Sequence, residues 1–291
     1  MSDEALNKAK IKKSILFIAI ILLLWLIFGC SERQKAKDSG DLCLTFPCIQ
    51  GGVVRADTTQ KTLTLVFTGD EFADGAGHIL DVLDRQHVKG AFFFTGNFYR
   101  NEAFAGAIMK LKEQGHYLGA HSNRHLLYCT WENRDSLLVT KEQFLEDLEG
   151  NYAEMEHFGI EKADAPYFLP PYEWYNDSIS KWTRQWGHQL INFTSGTRSN
   201  ADYTTPDMPN YRSSNVIYDS ILDHEQKDPA GLNGFLLLAH IGTAPERTDK
   251  FYMRLEELIV DLRSKGYEFK SLVDLLSINE MAQPQILIDS N

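Results

Sequence analysis

Gly115-His116-Tyr117-Leu118-Gly119-Ala120-His121-Ser122-Asn123-Arg124-His125 is the stretch on which the reading of this chain turns. Tyr117 to Ala120 is a short apolar segment that reads as a strand, and two histidines four apart stand just beyond it. Imidazoles at that spacing can turn toward one point and offer neutral nitrogens to a divalent metal, zinc foremost. The same H-x-x-x-H spacing also fits two solvated loop histidines, so the flanking pattern has to decide between the two.

From residue 61 onward, apolar or β-branched runs alternate with amphipathic ones, the pattern of strand and helix units around a parallel sheet. Strands are expected near residues 62–68, 90–95, 117–120, 166–169, 188–194, 234–239 and 267–270. Helices are expected near 76–86, 102–114, 140–158, 176–186, 213–225 and 247–265. The helix after Thr140 is the clearest: Thr140 is its N-cap, Gln143 the reciprocal partner, Phe144, Leu148, Tyr152 and Met155 its apolar face, and Gly159 its end. Trp182 and Trp186 read as packing residues. The irregular stretch 195–212 is long enough to be a functional loop. This is an α/β chain, with one barrel-sized domain over residues 61–276 and a tail at 277–291.

Residues 1–30 stand apart. Lys8, Lys10, Lys12 and Lys13 precede an uninterrupted apolar run, Ile15 to Phe28, that ends at Gly29-Cys30. This is the layout of a signal peptide ending in a lipobox-like cysteine. An uncleaved anchor is the alternative, and residues 15–28 are short for it. Either places the domain on a membrane at the bacterial cell envelope, facing the periplasm or the exterior. Residues 31–60 read as a polar tether followed by an extended segment, in which Cys43 and Cys48 are the natural disulfide pair and Pro47 can turn the chain between them. A formal net charge of −11 argues against a nucleic-acid partner.

Polar clusters follow several of the expected strands, where barrel enzymes assemble their sites. They are Gly69-Asp70-Glu71-Phe72-Ala73-Asp74-Gly75, the two-histidine segment, Leu169-Pro170-Pro171-Tyr172-Glu173, Asp202-Tyr203, and Leu236-Leu237-Leu238-Ala239-His240. Through GHYLGAHSNRH, AFFFTGNF, FLPPYEWYN and GFLLLAHIG with the later SKGYEFKSLVDLL, residues 62–276 resemble the polysaccharide deacetylases, carbohydrate esterase family 4. The resemblance implies an irregular seven-stranded (β/α) barrel and a metal-dependent hydrolase acting on an acetylated glycan, foremost on N-acetyl groups. It implies that His121 and His125 bind the metal, that the Tyr172 N–H serves the oxyanion, that His240 is the general acid, and that Leu238 lies near the acetyl methyl.

The chain departs from the family where the base is expected. A gap-free match puts Thr68 and Gly69 in place of the family's two aspartates, and Leu169 in place of the arginine that orients the base. Asp70 is then the first candidate for the metal carboxylate, with Glu71 its rival. Glu71, Asp74 and Glu173 are candidates for a relocated base. Two alternatives stay open: an O-acetyl esterase on the same scaffold, and a noncatalytic glycan-binding lipoprotein.

Overall fold

The computed structural model describes residues 42–277. By packing, the chain divides into residues 1–44 and 45–291, and the second unit holds the strands and the long helices. Its strands are β1 (Cys48–Ile49), β2 (Gly52–Val53), β3 (Thr62–Gly69), β4 (Ala91–Phe94), β5 (Tyr117–Ala120), β6 (Tyr167–Phe168), β7 (Gln189–Leu190), β8 (Phe235–His240) and β9 (Glu268–Phe269). Its helices are α1 (Ala76–Arg85), α2 (Gly96–Arg100), α3 (Ala105–Glu113), α4 (Lys141–Glu156), α5 (Asp177–Gln185), α6 (Ser214–Lys227), α7 (Leu255–Ser264) and α8 (Leu272–Leu275).

β1 and β2 form an antiparallel ribbon, and the other seven strands form one parallel sheet in the order β7-β6-β5-β4-β3-β8, with β9 also on β3. The expected seven-stranded barrel is thus present as an open half-barrel with helices between its strands. β3 explains its own central place: Leu63 to Gly69 are all buried, which requires cover on both faces. Register fixes what projects from the sheet, because Thr68 pairs with His240 and Gly69 with Phe94. Aromatic rings fill the interior, with Phe67 stacked on Phe92 at 4.9 Å and Phe94 on Phe98 at 4.0 Å. Each such pair adds about 0.5–1.5 kcal/mol beyond the area it buries.

The open side of the sheet, between β7 and β8, is sutured by the N-terminal segment. Asn192 N donates to Val53 O at 2.8 Å, Thr194 Oγ1 to Val54 O at 2.6 Å and Ala56 N to Gly234 O at 2.7 Å. Thr194 also exchanges hydrogen bonds with Leu236, at 3.1 and 2.9 Å. These cross-links shorten the strand expected over 188–194 to Gln189–Leu190, since Asn192 and Thr194 spend their groups on the seam. The helix expected over 247–265 begins only at Leu255, after a 3-10 turn at Phe251–Arg254. Arg247 and Lys250 are drawn off instead, donating to Thr204 O and Thr243 O at 2.6 and 2.9 Å.

The helix after Thr140 has its capping box, with Thr140 N on Gln143 Oε1 at 2.8 Å and Gln143 N on Thr140 Oγ1 at 3.3 Å. The expected helix at 102–114 starts as a 3-10 turn and becomes helical at Ala105. Helix α2 has no counterpart among the expected elements; Thr95 caps it by accepting from Phe98 N. The chain reverses at Gln50-Gly51, between β1 and β2. Cys43 and Cys48 are both disulfide-bonded, whereas Cys129 is buried and free. Residues 1–30, with the expected leader and Cys30, lie outside the described residues, as do the polar tether before residue 42 and the tail after 277.

Candidate active site

Four strand ends deliver the site. β3 delivers Asp70, β5 delivers His121 and His125, the turn after β6 delivers Tyr172 and Glu173, and β8 delivers His240. All of these line one cleft of about 680 Å³, together with Thr68, Glu71, Trp131 and Tyr203. Among the remaining expected site residues, Leu238 is fully buried two residues below His240 and does not line the cleft.

The histidine loop is held by a carboxylate that sequence reading misses. Asp147, nearly buried on α4, accepts from Ser122 Oγ at 2.7 Å, Tyr128 OH at 3.0 Å, and the backbone N–H of Asn123 and Arg124 at 3.1 Å each. One turn on, Asn151 Oδ1 accepts from His121 N at 2.8 Å. The signal is present in the sequence: Asp147 and Asn151 fall on the same face as Phe144, Leu148, Tyr152 and Met155, where two polar residues four apart require partners. Ser122 and His125 have left-handed backbone, with φ of 77° and 55°. Residues with side chains adopt that conformation at a cost of about 1–2 kcal/mol, so the loop has to be held there. Asn123 wedges between helices at two glycines: an added Cβ would lie 2.0 Å from its Oδ1 at Gly96 and 2.4 Å from its Nδ2 at Gly150.

The donor chemistry suits a divalent metal. His121 Nδ1 lies 2.8 Å from Leu169 O, which fixes that nitrogen as the donor and leaves Nε2 its lone pair. Burial holds the His121 imidazole well below its usual 6.5, with the neighbouring His125 adding to the effect. Burial also lowers His125, against the Asp70 carboxylate. Both rings are therefore neutral near pH 7, as ligation requires. Asp70 Oδ1 accepts from Thr95 Oγ1 at 2.6 Å and Asn97 Nδ2 at 3.2 Å, while Oδ2 stands 3.8 Å from His125 Nδ1. The two imidazole centroids are 5.3 Å apart, and among the described residues no three such side chains are gathered into a metal-sized cluster.

The other carboxylates near β3 part ways. Asp74 accepts from Thr243 N at 2.7 Å, Tyr252 OH at 2.8 Å and Lys250 Nζ at 2.8 Å, and it lies outside the cleft lining. Burial opposes these donors, and together they hold its carboxyl below the usual 3.8. Glu71 is exposed at the cleft edge. Glu173, half-buried in the cleft with φ 53°, has its carboxyl pushed by burial up to about 7, against the attraction of His240.

His240 is oriented by Asp202, which is 1% exposed. Asp202 Oδ1 lies 2.6 Å from His240 Nδ1, and its Oδ2 accepts from His240 N at 2.9 Å. Burial alone would lower the imidazole, yet the Asp202 carboxylate outweighs it and the net shift is upward from 6.5. Asp202 sits in the 3-10 turn Ser199–Tyr203, inside the long stretch whose length suggests a functional loop. Tyr172 covers His125 at 4.4 Å between centroids. The turn's hydrogen bonds run from Glu173 N to Pro170 O and from Trp174 N to Pro171 O, leaving the Tyr172 N–H unspent by the turn. Trp182 and Trp186 pack on Phe144 and Tyr152, away from the cleft.

Three comparisons bear on this geometry. The polysaccharide deacetylase family model matches residues 55–191. Over 230 residues the chain is 26% identical to the peptidoglycan-N-acetylmuramic acid deacetylase PdaA of Bacillus subtilis (strain 168), covering 79% of this chain and 77% of that one. A chitin deacetylase of Arthroderma benhamiae is 26% identical over 158 residues, 54% of this chain and 40% of the relative. Among solved structures, a wild-type family 4 carbohydrate esterase pseudoenzyme from Bacillus anthracis superposes with a TM-score of 0.61 at 16% identity, covering 79% of this chain and 70% of that one.

Proposed function

Because this chain belongs to the polysaccharide deacetylase family, hydrolases that act on carbon–nitrogen bonds, we propose that it removes N-acetyl groups from a cell-envelope glycan with the help of a bound divalent metal, zinc foremost. The observation that carries this reading is the opposition, across one cleft, of Asp70, His121 and His125 to the Asp202-oriented His240.

Asp70, His121 and His125 would hold the metal, which when bound supplies Lewis acidity toward a water and the acetyl carbonyl. Glu173 accepts the proton of the attacking water; a carboxyl near 7 is matched to that task at neutral pH, and among the three candidate bases it alone is both half-buried and in the cleft. The unspent Tyr172 N–H donates to the oxyanion. His240, kept protonated by Asp202 to higher pH than a free imidazole, gives its Nε2 proton to the departing amine. Asp74 is a brace and Glu71 a rim residue.

A noncatalytic glycan binder is the second reading, and one observation favours it. Thr68, in the family's base position, has a buried Oγ1 without a partner, and Leu169 is fully buried where the family has arginine. The leader and Cys30 support a membrane-anchored lipoprotein at the envelope under either reading.

The test is acetate release by the metal-loaded protein from chito-oligosaccharides, peptidoglycan and acetylated xylan, with amine formation assayed beside it. Acetate with matching new amine is expected. Acetate without amine identifies an O-acetyl esterase, and glycan binding with no acetate overturns the catalytic reading in favour of the binder.

A further inference from the structure

The cleft continues past Glu173. A concavity of about 340 Å³ shares Tyr172, Glu173 and Asn200 with it and adds Arg134, Trp174 and Phe193. A third, of about 390 Å³, shares Phe193 and Asn200 with the second and reaches Arg198. A glycan whose reacting sugar sits between Asp70 and His240 therefore has a groove for its neighbours on the side of the Tyr172 turn.

Arg134 is held rigid in that groove. Its guanidinium lies 4.5 Å from the Trp174 ring and 4.9 Å from the Tyr175 ring, and its Nε donates to Tyr175 O. Trp174 is itself fixed by Nε1 on Thr130 O at 3.1 Å. The stack and the Nε bond leave the two Nη groups of Arg134 without a hydrogen-bond or ion-pair partner among the described residues. Arg55, Arg85, Arg100 and Arg254 are each paired with a carboxylate, whereas Arg134, like Arg198 further along the groove, has no ion-pair partner among the described residues. On a chain of net charge −11, a flat cation without a counter-charge in a groove beside the reacting centre is set apart by its surroundings. Glu173 is the one carboxyl in that groove's lining, and it is the residue shared with the cleft. Stacking has already immobilised the fork, so a planar anion meets two parallel donors at little further entropic cost.

We propose that Arg134 binds a carboxylate carried by the glycan next to the sugar that loses its acetyl group, so that the preferred substrate is an acidic acetylated glycan rather than a neutral one. This rests on the deacetylase reading above. The carboxylate can come from the lactyl ether of muramic acid or from a uronic acid, and the arms of the experiment separate these sources.

The full chain in detergent, metal-loaded, is given three substrates: peptide-free strands of alternating N-acetylglucosamine and N-acetylmuramic acid, strands of alternating N-acetylglucosamine and glucuronic acid, and chitohexaose. Each acidic glycan is also supplied with its carboxylates reduced to alcohols. For each, kcat/KM for acetate release and the Kd by calorimetry are measured. One native acidic glycan should exceed its reduced form by roughly tenfold or more, mostly in KM, and the advantage should shrink as salt rises. Arg134→Gln should bring the native-to-reduced ratio toward one, and Arg134→Lys, a point charge without the fork, should restore it only in part. Native and reduced glycans behaving alike in the wild type, or an unchanged ratio in Arg134→Gln, overturns the proposal. If no glycan yields acetate, the deacetylase reading fails, and the calorimetric ratio still decides for or against the Arg134 site.

Discussion

The loop after β5 and the loop after β3 both bring acid–base residues to the same cleft, yet they are built in opposite ways. In the first, one buried carboxylate, Asp147, gathers two hydroxyls and two backbone N–H groups and holds both histidines on a single loop. In the second, three carboxylates within five residues have no common organiser. Asp70 is claimed by Thr95 and Asn97, Asp74 by Thr243, Lys250 and Tyr252, and Glu71 remains exposed. Residue type does not distribute those roles; the donors that surround each carboxylate do.

The sharpest way to break this comparison is to remove the product of the ordered loop. His121→Ala with His125→Ala should take bound metal from about one ion per chain to none and abolish acetate release, since two of three ligands are gone. Metal analysis that leaves the content unchanged would sink the assignment. Next in size, Glu173→Gln should cost roughly 10²- to 10⁴-fold in kcat with metal retained, whereas Glu71→Gln should stay within a few-fold. The reverse ranking would move the base to the loop after β3.

Asp147→Asn tests the organiser itself. Loss of a charged acceptor for four donors should destabilise the fold by about 1–3 kcal/mol and weaken metal affinity by roughly 10- to 100-fold, read by denaturation and by competition with a chelator. Equal affinity in wild type and variant would reduce Asp147 to a packing role. Asp74→Asn should have the smallest effect, under about 1 kcal/mol for a partly exposed ion pair. The Asp74 carboxyl titrates below 3.8 in the folded chain, so its contribution is full above that value and is lost as pH falls through the lower folded value. The melting temperatures of wild type and Asp74→Asn should converge in strong acid, and a gap that persists there would contradict the brace.

The same contrast explains which parts of the molecule are legible in the sequence. The convergence of the two histidines on one cleft can be read because both fall on one short segment, and the parallel α/β plan because period and turn signals are local too. Asp147 lies more than twenty residues from the loop it holds and is hidden among apolar neighbours on α4. The fates of Asp70 and Asp74 are open in the sequence because their deciding donors come from residues 95–97 and 243–252, and nothing local sets Glu71 apart from them as the exposed one. Asp202 is read only as half of the polar pair Asp202-Tyr203, with no role attached, since a 3-10 turn in a long irregular stretch has no periodicity to read. The elevated Glu173 carboxyl is a product of burial, and the short strand at Gln189–Leu190 reflects a seam whose other side is near residue 53.

That seam also sets the order in which the molecule can be completed. Val54 is bound to Thr194, 140 residues further along the chain, and Ala56 to Gly234. Contacts of such separation are slow to form, because the loop between their ends must close first. During synthesis the suturing segment emerges early and its partners emerge late, so the first part of the domain to be made is among the last to be fixed. Until then β7 and β8 present an unsealed edge. A newly made copy of this chain thus passes through an interval in which it is adhesive to other strands, and trimming the N-terminal segment back to residue 61 would make that interval permanent.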